Sequence, residues 1–362
     1  MKRLLVLLSA LATGCGSTNS VSGGTGSPIN APPSSVAPLS QILRGREIVT
    51  TAGCGDCHNR GTTDPNDPKW LAGFAGGTSG KFSIAGNNIF ARNLTPDPTT
   101  GLGSWTDQQI FDALRLGKNK EGKYLAPPMP WPEYQNMTDE DIRAVVAYLR
   151  SIKAVSNAVP KNDNGSGGTV DTSIFYPVPP PTVPAYPGAN EIEVTNKNGD
   201  GLPTDAATRE QVLRGRYLVT AASDCNACHS IGGNNPNDGL YMAGFAANPA
   251  NTGRFQIGPV TVFARNLTPD TATGLGQFSN NQVFQALRNG IDPRDGSTLK
   301  PPMPWTATHN YNDSDTWAII AYLRSLRPVN NAVPTDIVPP GFPGFSTQAI
   351  PLPPYPGTNE TP

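Results

Sequence analysis

A Cys-x-x-Cys-His motif occurs twice in the chain, at residues 54–58 and 225–229. Two cysteines at this spacing on a tight turn can both form thioether bonds to the vinyl groups of one haem, and the histidine that follows can bind the iron. A thioredoxin-like redox pair would leave the histidine unexplained, and a structural zinc site would need two cysteine pairs roughly 15–20 residues apart. The motifs therefore predict two covalently bound haem c groups. The attachment cysteines are Cys54, Cys57, Cys225 and Cys228, and the iron-binding histidines are His58 and His229.

Alignment of the two halves of the chain indicates a methionine as the ligand for the other face of each iron. Of the methionines after the initiator, only Met129 and Met303 occupy matching positions, each within the sequence Pro-Pro-Met-Pro-Trp. Met137 and Met242 have no methionine opposite them, and the third histidine, His309, has no histidine opposite it. Prolines restrict the backbone, which suits a loop that must hold a sulfur at a fixed place. We predict that Met129 and Met303 are the sixth iron ligands.

These residues belong to two copies of one domain. Phe-Ala-Arg-Asn-Leu-Thr-Pro-Asp occurs at 90–97 and again at 263–270, and the offset between the copies runs from 170 to 174 residues. A period of this length indicates tandem domains rather than a solenoid of short repeats. The predicted segments are a first domain at 39–160, a linker at 161–205, a second domain at 206–334 and a proline-rich tail at 335–362.

Helical patterns dominate each copy. Residues 38–51 have an amphipathic helical pattern. Thr106-x-x-Gln109 is a capping-box pattern, and Ser279-x-x-Gln282 is its counterpart in the second copy. Thr138 precedes an acidic first turn. The chain also contains 38 glycines and 38 prolines, which indicates long loops. We predict an all-α fold in which each domain is a small helical bundle around its haem, with long Gly/Pro-rich loops.

The order of an N-terminal helix, Cys-x-x-Cys-His, a long loop, Met-Pro and a final helix with Ala-Tyr-Leu-Arg resembles class I cytochrome c, over about residues 40–160 and 206–334. The tandem arrangement is similar to the exported cytochrome c subunits that serve membrane-associated dehydrogenases. The resemblance implies that the terminal helix packs on the first one and that the haem supplies much of each core. It also implies redox partners: a dehydrogenase or quinol-oxidising donor and a terminal or soluble acceptor.

Electron transfer, rather than catalysis, follows from the predicted ligands, because an iron bound by both histidine and methionine has no open position for a substrate. A dihaem peroxidase is the main alternative, but it needs one iron that can open and distal acid–base groups. A thiosulfate-oxidising dihaem enzyme usually has a distinctive ligand at one haem, and the copies show no such asymmetry. A haem-based gas or redox sensor is a third class.

Four further residues have two interpretations each. Arg92 and Arg265 either pair with haem propionates, as guanidinium does with carboxylates, or are exposed arginines that stiffen a turn. Trp131 and Trp305 follow the methionines by two positions and are expected to pack against haem rather than to do chemistry.

The N-terminus predicts export. Residues 1–15 contain Lys2 and Arg3 before a short apolar run, which is the pattern of a signal peptide and is too short for a transmembrane helix. Residues 11–15 resemble a bacterial lipoprotein signal in which Cys15 becomes the lipid anchor; the alternative is cleavage after Ala12, which leaves Cys15 as a thiol. Residues 16–38 are then a flexible tether. We expect a periplasmic or cell-envelope protein that contacts the membrane only through this anchor.

The formal net charge is −1 and the basic residues are scattered along the chain. A nucleic-acid partner would require a basic patch, so we expect none.

Overall fold

The computed structural model of the protein describes residues 37–59, 64–76, 80–176, 182–195, 207–223, 225–230, 234–246, 253–345 and 351–361. The predicted signal peptide, Cys15, the tether up to residue 36 and linker residues 196–205 lie outside the described residues. Both copies of the repeat belong to one compact unit, Ala37–Pro362. No helix within the described ranges is both long and apolar enough to cross a bilayer.

Among the described residues, each copy has five α-helices in the same order. In the first copy they are α1 (Leu39–Thr51), α2 (Cys54–His58), α3 (Asp107–Arg115), α4 (Trp131–Tyr134) and α5 (Asp139–Ser151). In the second copy they are α6 (Arg209–Tyr217), α7 (Cys225–His229), α8 (Asn280–Asn289), α9 (Trp305–Thr308) and α10 (Asp313–Arg324). Helix α6 continues into one π-helical turn, Leu218–Ala222, which leads to the second Cys-x-x-Cys-His motif.

The predicted helix starts are confirmed. Thr106 and Ser279 each form a complete capping box at the first turn of α3 and α8, so the side chain and the backbone of each cap residue are both hydrogen-bonded. Thr138 accepts a hydrogen bond from the Asp141 backbone at the start of α5. These caps satisfy backbone N–H groups that a helix start leaves without partners.

Two short antiparallel hairpins correct the prediction of an all-α fold. Strands β1 (Lys81–Ile84) and β2 (Asn87–Phe90) pair in the first copy, and β3 (Arg254–Ile257) and β4 (Val260–Phe263) pair in the second. The first turn places Ala85 at φ 48° and Gly86 at φ 79°. This left-handed backbone matches the twist of a two-residue hairpin, so the alternating apolar residues on either side can pair as strands.

The first and last helices of each domain pack at very close range. A Cβ atom added to Gly45 of α1 would lie 1.9 Å from the carbonyl oxygen of Ala144 in α5, and one added to Gly215 of α6 would lie 1.8 Å from that of Ala318 in α10. Only glycine permits this approach of two helix backbones. The contact holds the two ends of each domain together.

Each of two proline-rich segments follows one domain in the sequence but packs on the other domain. This exchange of straps was not predicted from the sequence. The linker strap, residues 182–195, and the C-terminal strap, residues 351–361, share the sequence Tyr-Pro-Gly-x-Asn-Glu at 186–191 and 355–360. The linker strap follows the first domain but packs on the second, where Glu191 forms an ion pair with Arg216. The C-terminal strap follows the second domain but packs on the first.

A buried ion pair attaches the C-terminal strap. Glu360 accepts hydrogen bonds from Arg46 Nε of α1 at 2.6 Å and from the Tyr148 hydroxyl of α5 at 2.5 Å. The side chain of Glu360 is 0% exposed and that of Arg46 is 6% exposed. In the linker strap, Glu191 makes the equivalent bonds, at 2.6 Å each, to Arg216 of α6 and Tyr322 of α10. Each strap therefore ties the first helix of one domain to its last helix.

A charged cluster lies where the two domains meet. Asp141 accepts two hydrogen bonds of 2.8 Å from Arg44 and one of 2.5 Å from the hydroxyl of Tyr217, which belongs to the second domain. Burial opposes the charged form of Asp141, but these hydrogen bonds outweigh it and lower the pKa of the carboxyl. Asn312 of the second domain donates to Glu47 of the first at 3.1 Å.

We expect Glu360→Gln to destabilise the first domain by about 3 kcal/mol, because Arg46 would keep its charge in a buried place without the carboxylate. Glu191→Gln should destabilise the second domain in the same way. Hydrogen exchange followed by mass spectrometry would locate each effect. Exchange should quicken in α1 for the first variant and in α6 for the second.

Glu193→Gln is the matched control for these variants, since it removes an exposed carboxylate from the linker strap. It should leave exchange unchanged in both domains. For Glu191→Gln or Glu360→Gln, hydrogen exchange could instead become faster in the domain that precedes the strap. That result would show that the straps do not pack on the domains described above.

Candidate haem sites

The Cys-x-x-Cys-His motif forms a single helical turn in both copies. In α2 the two cysteines are three positions apart, so their sulfurs lie on the same side of the turn. Burial raises the pKa of the Cys54 thiol to about 12 and that of Cys57 to about 11. Two buried thiols on one turn, followed directly by a histidine, are the groups that thioether attachment of a haem requires.

Each motif histidine is oriented by a backbone carbonyl. His58 Nδ1 lies 2.7 Å from the carbonyl oxygen of Arg92, and His229 Nδ1 lies 2.7 Å from that of Arg265. A carbonyl can only accept, so Nδ1 carries the hydrogen and the Nε2 lone pair is available to a metal. Burial lowers the pKa of both histidines, which keeps the imidazoles in the neutral form that binds iron.

A buried asparagine fixes the loop that supplies this carbonyl. Asn93, next to Arg92, donates to the carbonyl of Val155 at 2.8 Å and accepts from the Thr95 backbone at 2.9 Å. Asn266 makes the equivalent bond of 2.8 Å to Val329 in the second copy. The loop that orients the histidine is therefore tied to the segment that follows the last helix.

The two methionines occupy identical local structures. Met129 follows a cis bond between Pro127 and Pro128, and Met303 follows the same bond in the second copy. The backbone N–H of the tryptophan two positions later donates to the methionine carbonyl at 2.9 Å in both copies. Met303 lines the second cavity described below, and Met129 packs against the apolar core of the first domain.

The tryptophans of the same segments support these loops. A Cβ atom on Gly117 would lie 2.1 Å from the ring of Trp131, and one on Gly290 would lie 2.3 Å from the ring of Trp305. Trp131 also stacks on Tyr124, with ring centroids 5.6 Å apart. Gly290, against which the Trp305 ring lies, is the residue that ends α8.

The second domain contains a cavity of about 410 Å³ that reaches the first domain. This cavity of the second domain is the second cavity. His229, Met303 and both motif cysteines line it. Most of the remaining wall is apolar, and includes Val219, Phe255, Phe263, Leu267, Phe278 and Ile319. An imidazole, a thioether and two thiols around an apolar space are the donor set that a covalently attached, six-coordinate haem requires, so the residues present fit this group.

Residues of the first domain complete the wall of the second cavity. Gly53 immediately precedes the first Cys-x-x-Cys-His turn and Asp56 lies within it, Pro130 is adjacent to Met129, and Tyr134 lies in α4. No pattern in the sequence indicated this contact, because it depends on how the domains pack. The two candidate haem sites are therefore neighbours.

The two arginines tie the hairpins to the chain that follows each domain. Arg92 donates to the carbonyl of Pro160 at 2.7 Å and to the side chain of Asn162. Arg265 donates to the carbonyl of Pro334 and forms an ion pair with Asp336. Arg265 is also among the residues that line the second cavity.

Comparison with known proteins gives one family. The sequence profile of cytochrome c matches residues 42–153 and 212–327. The fructose dehydrogenase cytochrome subunit of Gluconobacter japonicus is 30% identical over 313 residues, which are 83% of this chain and 56% of that protein. The gluconate 2-dehydrogenase cytochrome c subunit of Pantoea cypripedii is 29% identical over 79% of this chain and 59% of its own length.

A diheme cytochrome c-type protein of Cereibacter sphaeroides is 25% identical over 83% of this chain and 90% of its own length. The chain thus spans little more than half of the two dehydrogenase subunits that it matches, but nearly the whole of this third relative.

We expect Asn93→Ala to lower the free energy of unfolding of the first domain by about 2 kcal/mol, because the N–H of buried Thr95 would lose its acceptor and the Val155 carbonyl would lose one of its two hydrogen bonds. Urea unfolding of the haem-loaded protein measures the change, and Asn266→Ala should act equally on the second domain. Asn281→Ala, at an exposed position of α8, is the control and should change stability little. Equal stability of the Asn93 and Asn281 variants would refute this role for the asparagine.

Proposed function

This chain belongs to the cytochrome c family and carries two covalently bound haem c groups, and we propose that it transfers electrons between an exported or membrane-bound oxidoreductase and a downstream acceptor. The observation that carries the proposal is the single apolar cavity wall that contains both His229 and Met303. Each bound haem supplies an iron that alternates between the ferrous and ferric states and so takes up and releases one electron.

We propose the same residue roles in both domains. Histidine and methionine would both hold the iron of a bound haem and leave it no position for a substrate, which supports a carrier rather than a peroxidase or thiosulfate-oxidising enzyme. The cysteines that hold haem are Cys54, Cys57, Cys225 and Cys228, and the iron ligands are His58, Met129, His229 and Met303. The haem domains are residues 39–160 and 206–334.

The protein's own groups favour the reduced state of both irons. Imidazole and thioether are neutral ligands, and most of the wall of the second cavity is apolar. A charge that increases on oxidation is less stable in such surroundings, so the reduction potential rises. A raised potential suits a protein that accepts electrons from a dehydrogenase or a quinol oxidiser.

Electron passage within the chain is supported by the neighbouring sites. The first motif turn contributes Gly53 and Asp56 to the wall of the second cavity, and Pro130, next to Met129, lies on the same wall. The exchanged straps hold the domains in this arrangement through the buried ion pairs of Glu191 and Glu360. We propose that an electron enters at one haem and leaves at the other.

Partners and location follow from the relatives. Several are named as cytochrome subunits of fructose, gluconate 2- or quinone-linked alcohol dehydrogenases. We propose that a membrane-associated dehydrogenase or a quinol oxidiser is the donor and that a terminal or soluble redox protein is the acceptor.

The N-terminal pattern supports a location on the periplasmic side or in the cell envelope, with Cys15 as lipid anchor. We propose that Arg265, which lines the second cavity, pairs with a haem propionate and that Arg92 does the same in the first domain.

Met129→Ala and Met303→Ala test the assignment of the ligands. Each variant should lose about half of the weak red absorption band of sulfur-ligated ferric haem, because only one of two thioethers remains. Each should also lower one of the two midpoint potentials, on the order of 100 mV within the roughly 0.8 V range that axial ligands span. Absorption spectra and a potentiometric titration measure both effects.

Met137→Leu is the control, since Met137 is a buried packing residue with 4% exposure and no methionine opposite it. It should keep the whole red band. Carbon monoxide should bind only to the reduced variants that lack a ligand. Rapid binding to the reduced wild-type protein, or rapid turnover of added peroxide, would favour a sensor or a peroxidase instead.

A further inference from the structure

The second haem cavity has a charged segment of wall that the first copy lacks. Five charged residues from three parts of the chain line the cavity together: Arg265, Asp292, Arg294, Lys300 and Asp336. At the positions equivalent to the last four of these, the first copy has Asn119, Glu121, Ala126 and Asn162. Only Arg265, which corresponds to Arg92, is common to both copies.

Asp336 lies at the centre of this segment. Its carboxylate forms an ion pair with Arg265, lies 3.2 Å from Lys300 Nζ and accepts a hydrogen bond of 3.2 Å from the backbone of Phe263. The Asp336 side chain is only 7% exposed. A carboxylate at the wall of an apolar cavity acts strongly on a charge inside that cavity, because little water screens it.

Asp292 is the second buried carboxylate. It accepts a hydrogen bond of 2.9 Å from Arg294 Nε and one of 3.0 Å from the Arg294 backbone N–H. Its side chain is 2% exposed. Arg294 also approaches Asp336, at 4.0 Å, so the two carboxylates belong to one network.

The first copy has amides in the same two places, with the same backbone hydrogen bonds. Asn162 accepts from the Phe90 backbone at 3.0 Å, as Asp336 does from Phe263. Asn119 accepts from the Glu121 backbone at 3.1 Å, as Asp292 does from Arg294. An amide and a carboxylate have nearly the same shape, so the local fold is preserved while the charge differs.

We propose that Asp336 and Asp292 tune the reduction potential of the second haem, an inference that rests on the proposed electron-transfer function. Oxidation adds one positive charge at the iron, and a buried carboxylate stabilises that charge. The two carboxylates therefore lower the reduction potential of the second haem relative to the same site with asparagines. Their counterparts Asn162 and Asn119 lack this effect on the first haem.

Reciprocal isosteric exchange tests the proposal in the full-length, haem-loaded protein. Potentiometric titrations of the wild type, Asp336→Asn and Asn162→Asp are compared in the same buffer. We expect Asp336→Asn to raise one of the two midpoint potentials and Asn162→Asp to lower the other. Asp292→Asn should raise the same potential as Asp336→Asn, which gives a second variant if Asp336→Asn does not mature.

Asp295→Asn is the matched control, because it removes an exposed carboxylate from the same turn as Asp292. It should leave both potentials unchanged. The visible spectrum and the red band of each variant show whether its ligands are intact.

Unchanged or lowered potentials in Asp336→Asn and Asp292→Asn, or an effect of Asp336→Asn and Asn162→Asp on the same redox step, would overturn the proposal. In either case a wild-type protein with two redox steps and its red band would leave the proposed function standing. A wild type that lacks these features would instead show that the proposed function had failed.

Discussion

The close contact between the first and last helices of each domain is the constraint on which the rest of the structure depends. Gly45 and Gly215 allow the backbones to touch, and the helices are the two ends of their domains. The motif turn follows the first helix directly, and the methionine segment leads through one short helix into the last. One helix contact therefore sets how far the histidine and the methionine stand apart, although neither residue takes part in it.

The exchanged straps extend this contact from one domain to two. Glu360 bonds to Arg46 of the first helix and to Tyr148 of the last, so it reinforces the crossing itself. Because this glutamate belongs to the chain that follows the second domain, the polar core of the first domain is complete only when both domains are folded. A buried ion pair adds little net stability, since desolvation offsets its attraction, but the loss of one partner leaves an uncompensated charge. The arrangement thus opposes separation of the domains, and separation would also open the cavity wall that they share.

Local and repeated signals allowed much of the site to be predicted from sequence. The two Cys-x-x-Cys-His motifs and the alignment of Met129 with Met303 gave the candidate ligands, and the hydroxyl caps gave the helix starts. The hairpins were not predicted because their strands have only four residues each, although Phe82 and Ile84 alternate before a turn with Gly86. The repeated Tyr-Pro-Gly-x-Asn-Glu sequence could have been found, but no local pattern states on which domain a strap packs. The shared cavity wall depends on the same long-range packing.

Duplication gives both domains the same candidate iron donors, so we expect any difference between the haems to come from groups around those donors. The hydrogen bonds from His58 and His229 to their carbonyls are equal in length, which leaves little room for a difference in the histidines. Asn162 and Asp336 accept the same backbone hydrogen bond, so one can replace the other without moving the hairpin beside it. A buried carboxylate needs a compensating cation. Arg294 stands where the first copy has Glu121, and Lys300 where it has Ala126, so the cations accompany the carboxylates in the same copy. The two domains therefore differ by a charged network as a whole, on a local scaffold that is the same in both.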